Sequence, residues 1–71
     1  MNLEKAAELW SAKYTLYCGE CKRFRHPKKP LLTTKSDGHY YASGVCPICE
    51  GVLHLDVVND AILGSLFLLA A

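Results

Sequence analysis

The sequence predicts a small α+β fold in which a three-stranded antiparallel sheet lies between an N-terminal and a C-terminal helix. The chain has 71 residues, a size at which an apolar core alone rarely stabilises a fold. Its four cysteines form two Cys-x-x-Cys pairs, Cys18 with Cys21 and Cys46 with Cys49. The hydrophobic period is helical at both ends of the chain and strand-like between them. We therefore expect one metal-stabilised domain over residues 1–71.

The first element is a helix over residues 2–14. Asn2 is suited to cap its N-terminus, and Glu4 suits the positive end of the helix dipole. The apolar residues recur at spacings of three and four, which places them on one stripe: Leu3, Ala6, Ala7, Trp10 and Tyr14.

The strands are predicted within residues 15–58. A short β-prone run at 15–17 leads into the first cysteine pair. Pro27 and Pro30 follow that pair, and because proline interrupts regular structure, the segment after Cys21 is predicted to be a loop.

A hairpin is the strongest local signal between the two cysteine pairs. The runs 31–35 and 39–45 are β-prone, and Asp37-Gly38 between them is typical of a tight turn. After the second pair, residues 51–58 alternate between two faces and predict the third strand. One of these faces consists of Leu53, Leu55 and Val57.

The final helix, residues 60–71, is predicted to be apolar on nearly every side. Asn59 or Asp60 can cap it, and no charged residue follows Asp60. It is too short for a membrane span, which needs about 20 apolar residues. Since one partner helix and a thin sheet offer little surface to cover it, we predict a contact with a protein partner or a second copy. The candidate interface residues are Leu63, Leu66, Phe67, Leu68 and Leu69.

The two cysteine pairs predict one structural Zn²⁺, because Zn²⁺ favours four tetrahedral thiolates and a Cys-x-x-Cys turn points two sulfurs at one ion. Residues 1–12 lack the features of a secretory signal, so we expect a reducing compartment, where paired cysteines bind metal more often than they form disulfides. A thioredoxin-like dithiol, a disulfide framework and a rubredoxin-type iron site are the alternatives. The predicted ligands are Cys18, Cys21, Cys46 and Cys49.

Charge is concentrated in the middle of the chain, although the net charge is only +1. Residues 13–35 carry seven Lys or Arg and one acid, whereas residues 36–71 carry four acids and no Lys or Arg. Basic side chains can neutralise phosphates, and aromatic rings can stack on unpaired bases. The alternative is a solvated basic loop that offsets the charge of the thiolates. The candidate nucleic-acid-binding residues are Lys22, Arg23, Phe24, Arg25, Lys28, Lys29, Lys35, Tyr40 and Tyr41.

The sequence resembles the zinc-ribbon superfamily, in particular its short prokaryotic and viral members. The resemblance covers about residues 14–56 and implies a three-stranded antiparallel ribbon with the four cysteines as zinc ligands. After each second cysteine the sequence departs from the family, since Lys22 and Glu50 stand where glycine is usual. The residues that match the family pattern are Tyr17, Cys18, Cys21, Pro27, Lys35, Gly38, Gly44, Cys46, Pro47 and Cys49.

These features predict a non-enzymatic binding module. Four cysteines leave zinc no open coordination position, and the family implies a fold and a metal but no single activity. We expect a role in nucleic-acid machinery (transcription, replication or its regulation) through the basic loop 22–35. A structural or inhibitory subunit that docks through the C-terminal helix is the alternative, and rubredoxin-like electron transfer is a remote one. We expect a cytoplasmic location, in the host if the protein is viral, with neither membrane nor small-molecule substrate.

Overall fold

The computed structural model describes residues 2–70, which form two helices and five short strands. β1 and β2 form an antiparallel pair, and a second antiparallel sheet has the order β3-β4-β5. The predicted small α+β architecture is confirmed at this level, while Met1 and Ala71 lie outside the described residues. In chain order the elements are α1 (Leu3–Lys13), β1 (Leu16–Cys18), β2 (Arg23–Arg25), β3 (Lys28–Thr34), β4 (Tyr40–Val45), β5 (Asp56–Val57) and α2 (Asp60–Ala70).

Both helices begin at capped positions. The Asn2 Oδ1 accepts a hydrogen bond from the Lys5 N–H at 3.1 Å, and the Asn59 Oδ1 accepts one from the Ala61 N–H at 2.8 Å. These side chains satisfy N–H groups that have no partner within the helix. Helix α1 packs against β3 and α2. The apolar core comprises Ala6, Ala7, Trp10, Leu16, Leu32, Ala42, Leu53, Val58, Leu63, Leu66 and Ala70.

The predicted hairpin joins β3 to β4. Leu31 pairs with Ser43 and Thr34 pairs with Tyr40, so the turn is centred on residue 37. The Lys35 N–H donates to the His39 carbonyl at 3.2 Å, which leaves residues 36–38 as a three-residue loop. Gly38 has a φ of 82°, the left-handed conformation that such a loop needs at its last position.

The segment after Cys21, predicted to be a loop, instead contains β2 and the start of β3. The turn of the first cysteine pair joins β1 to β2 as a hairpin. Pro30 is accommodated within β3 because it lies at a bulge between Lys28 and Leu31, where Lys29 adopts a φ of 51°. Pro27 lies before this strand and Pro30 distorts it without ending it, so the loop prediction is wrong.

The third strand, predicted over 51–58, is mostly absent. Within the described chain, Asp56–Val57 pairs with β4, and Val52 forms an isolated bridge. Between them the chain leaves the sheet, and the His54 N–H donates to the Tyr17 carbonyl of β1 at 3.0 Å. This break ends the strand-like alternation of side chains between two faces. Of the three residues predicted to share one face, Leu53 is buried, whereas Leu55 and Val57 are half-exposed.

Candidate metal centre

Each cysteine pair forms a tight turn after a strand. Cys18 ends β1, and its Sγ accepts a hydrogen bond from the Cys21 N–H at 3.4 Å. Cys46 follows β4, and its Sγ accepts one from the Ile48 N–H at 3.4 Å. In each turn, a backbone N–H therefore points at the sulfur of the first cysteine.

The four sulfurs converge on one point. All four Sγ atoms lie within 4.8 Å of one another. Cys18 Sγ is 3.5 Å from Cys49 Sγ, and Cys21 Sγ is 3.8 Å from Cys46 Sγ. A tetrahedral ion with metal–sulfur bonds of about 2.3 Å separates its ligands by about 3.8 Å. Two of the sulfur pairs are close to this separation, so the four thiols form a cluster that could hold a metal ion.

The backbone of the second turn lowers the pKa of one of these thiols. The N–H groups of Cys49 and Ile48 lower the pKa of Cys46 to about 6. The Gly51 N–H lowers the pKa of Cys49, but the Cys18 thiol and burial outweigh it and raise that pKa to about 12. A bound cation must displace the remaining thiol protons, so metal binding should weaken in acid.

Lys22 and Glu50, which replace the glycine usual in zinc ribbons, have left-handed backbones. Their φ values are 55° and 61°, the region in which a side chain costs roughly 1–2 kcal/mol. The chain therefore forms both turns in the glycine-type conformation without the glycine, and the departure from the family pattern does not prevent the cysteines from converging.

The predicted nucleic-acid-binding residues do not share one surface. In an antiparallel pair, opposed residues share a face and successive residues alternate between faces. Arg23 and Arg25 lie on the face of buried Leu16, whereas Phe24 and Tyr17 lie on the opposite face. The arginines and the exposed ring of Phe24 are therefore separated by the thickness of the hairpin.

Three more of these residues have partners within the chain. The Lys28 Nζ lies 3.5 Å from Glu50 Oε1. The Tyr41 hydroxyl donates to Asp37 Oδ2 at 2.6 Å, which raises the pKa of Tyr41 and lowers that of Asp37. The Lys35 Nζ lies 4.6 Å from the centre of the Tyr41 ring.

Tyr40 is also occupied, on the opposite face of β4 from Tyr41. Its half-buried ring lies edge-on to Phe67 of α2, with ring centres 5.6 Å apart. Both tyrosines therefore make contacts within the chain, on opposite faces of β4. Lys22 and Lys29 are exposed.

A row of aromatic rings on the outer face of the first hairpin was not predicted from the sequence. Phe24 is 67% exposed, and its ring centre lies 5.3 Å from that of Tyr17. The Tyr17 ring in turn lies 5.5 Å from His54, again edge-on. Tyr17 could have been found from its alternation with Cys18 in β1, but no local signal connects His54 to this surface. We call Phe24, Tyr17 and His54 the aromatic row.

The predicted protein interface is divided by the fold. Leu63 and Leu66 are buried in the core of the chain, and Phe67 is half-buried. The expectation that the chain could cover little of this helix is wrong, because α1 and β4 cover one side of it. Leu68 and Leu69 remain 82% and 62% exposed.

Comparisons of the chain with protein-family models, with curated proteins and with solved structures found no match. No helix in the described part of the chain has the length and apolar character needed to cross a bilayer. The evidence for a metal-binding site is therefore the geometry of the four converging thiols, which form a cluster that could hold a metal ion.

Proposed function

We propose that the chain is a zinc ribbon in which one Zn²⁺ is bound by Cys18, Cys21, Cys46 and Cys49 and serves structure rather than catalysis. The spacing of the four Sγ atoms, all within 4.8 Å, carries this proposal. Four thiolates complete a tetrahedral shell, so the ion has no open position for a substrate. The function then lies on the protein surface that the ion holds together.

The surface that best supports a function is the first hairpin, and the function that we propose for it is binding to single-stranded nucleic acid. The carrying observation is the aromatic row, in which Phe24 exposes 67% of its surface. Lys22 precedes β2 and is exposed, and Arg23 is exposed on the face of β2 opposite Phe24. An exposed ring and two exposed cations on one short hairpin suit an unpaired base on one face and phosphates that pass around the edge of the hairpin.

Binding of the zinc-loaded protein to a labelled single-stranded oligonucleotide should weaken steeply with salt. Changing Lys22 and Arg23 to Ala should reduce the slope of log K against log salt by up to about two units. Changing Phe24 to Ala should weaken binding by about 1–3 kcal/mol, because it removes one stacking platform. Fluorescence anisotropy over a salt series measures both effects.

Ile48 supplies the matched control for Phe24. It is 66% exposed, lies on the other cysteine turn and has no ring. Ile48→Ala should therefore leave binding unchanged. The proposal fails if the wild type binds neither single-stranded DNA nor RNA at low salt, or if Ile48→Ala and Phe24→Ala weaken binding equally.

A second candidate function, self-assembly through α2, is favoured by one observation. Leu68 and Leu69 are exposed on α2, and Leu69 lines a groove of about 330 Å³ between α1 and α2. Exposed apolar surface of this kind favours a covering partner. The groove is lined by Leu9, Lys13, Tyr14, Ala61, Ile62, Ser65, Leu66 and Leu69.

Sedimentation velocity over a range of protein concentrations tests this second candidate. We expect the wild type to associate and Leu68→Glu to remain monomeric with its metal bound, because Leu68 makes little contact within the chain. Ile48→Glu introduces the same charge at a distant exposed site and should not change the association. A wild type that stays monomeric at every concentration contradicts self-assembly.

A further inference from the structure

Arg25 is less exposed to solvent than the other basic residues of the first hairpin. It ends β2 opposite Leu16, a residue of the buried core. Its side chain is only partly exposed, whereas Arg23, two residues earlier on the same strand, is exposed. In residues 2–70, the Arg25 Nε is the buried side-chain nitrogen or oxygen without a hydrogen-bond partner. A buried donor without an acceptor is energetically unfavourable, so we expect this nitrogen to have an acceptor in the functional protein.

Arg25 lies on the same face of the first hairpin as Cys18, because its partner Leu16 stands two residues before Cys18 in β1. The Cys21 thiol is a hydrogen-bonding neighbour of the Arg25 guanidinium, so a sulfur of the metal centre is available as the acceptor. No carboxylate competes for Arg25, since the ion pair within the described chain joins Lys28 to Glu50. Lys22, which follows Cys21 in sequence, is exposed to solvent.

Charge supplies the physical reason for this placement. Four thiolates and one divalent ion carry a combined charge of −2, which is costly where Cys18 and Cys46 are buried. An adjacent guanidinium offsets half of that charge, and an N–H···S⁻ bond satisfies its own buried nitrogen. A thiol is a weak acceptor and a metal-bound thiolate a strong one, so both needs are met when the metal binds.

We propose that Arg25 is a positioning residue of the metal centre, which donates a hydrogen bond from Nε to the Cys21 thiolate and partly neutralises the four-thiolate site. This inference rests on the proposed zinc site and deepens it. It also divides the basic cluster by role: Arg25 serves the metal, whereas Lys22 and Arg23 remain available to a ligand at the surface.

Competition with a chromogenic zinc chelator tests the proposal, with Arg23→Gln as the matched control. Arg25→Gln and Arg23→Gln remove the same charge from the same strand. We expect Arg25→Gln to lower the zinc affinity by roughly 10- to 100-fold, the range typical of residues that support metal ligands. Arg23→Gln should leave the affinity close to that of the wild type. Arg25→Lys, which keeps the charge but lacks Nε, should recover only part of the loss.

If Arg25→Gln does not fold, hydrogen exchange in the wild-type protein tests the role of Arg25 instead. In isotope-labelled zinc-loaded protein, the Nε–H of Arg25 should exchange with solvent far more slowly than the Nε–H of Arg23. Equal exchange of the two, or equal zinc affinities of the two Gln variants, would overturn the role of Arg25 while leaving the zinc site intact. A wild type that binds no zinc would instead overturn the proposed function itself.

Discussion

Removal of the metal is expected to unfold the chain. The four-thiolate cluster joins the turn after β1 to the turn after β4, and the apolar core around it is small. Structural zinc contributes an apparent 10–16 kcal/mol in small domains, which equals or exceeds the total stability of a typical protein, about 5–15 kcal/mol. Circular dichroism after chelation should show loss of both helix and strand signals, and added Zn²⁺ should restore them.

Cys49→Ser provides the sharpest variant for this experiment. Cys49 is exposed, unlike Cys18 and Cys46, so its replacement removes a ligand without leaving a cavity in the core. We expect this variant to lose stability about as severely as the chelated wild type. Elemental analysis of the wild type should give one zinc per chain, and a coloured iron protein would favour electron transfer instead. A chelated protein with an unchanged spectrum and melting temperature would refute the structural role of the metal.

Gly44→Ala is expected to be the most damaging small substitution outside the metal site. A Cβ at Gly44 would lie 2.4 Å from the Cβ of Pro27 and 3.2 Å from the carbonyl oxygen of Lys28. Pro27 is itself buried and rigid, so relief requires β3 and β4 to move apart. Overpacking of this kind costs about 1–3 kcal/mol and occasionally more. For a domain of this size, that corresponds to a fall in melting temperature of at least about 4 °C.

Gly64→Ala is the matched control for Gly44→Ala. Gly64 lies within α2 and is exposed, and a Cβ there would meet no atom within 4 Å. The added methyl group should raise stability by about 0.5–1 kcal/mol through the helix propensity of alanine. Thermal unfolding of both zinc-loaded variants measures the difference. If Gly44→Ala melts at or above the wild-type temperature, the close approach of β4 to Pro27 does not constrain the fold.

The features that the sequence determined by itself are those encoded within a few neighbouring residues. Asn2 and Asn59 cap helices because their side chains bond N–H groups two or three residues away. Asp37-Gly38 defines the hairpin because the turn needs a left-handed residue at Gly38. The Cys-x-x-Cys spacing likewise places two sulfurs on one turn, so the four candidate ligands were predictable without a structure.

The tertiary structure decided which face each side chain occupies. Leu63 and Leu66 were indistinguishable in sequence from Leu68, and contact with the rest of the fold makes the first two core residues. Tyr40 and Tyr41 are adjacent, yet the alternation of β4 sends one toward α2 and the other toward Asp37. These outcomes depend on packing between elements far apart in the chain, which local patterns do not record.

The same reason explains the difference between Arg23, Phe24 and Arg25, three successive residues of one basic segment. Pairing of β2 with β1 puts both arginines on the face of Leu16, where Arg25 is partly buried and Arg23 is exposed, and puts Phe24 on the opposite face beside Tyr17. The position of Arg25 against Cys21 and of His54 against Tyr17 exists only because both hairpins fold around the four sulfurs. Sequence alone therefore predicted the four candidate metal ligands, and long-range packing determined which charges and rings surround the four-cysteine cluster.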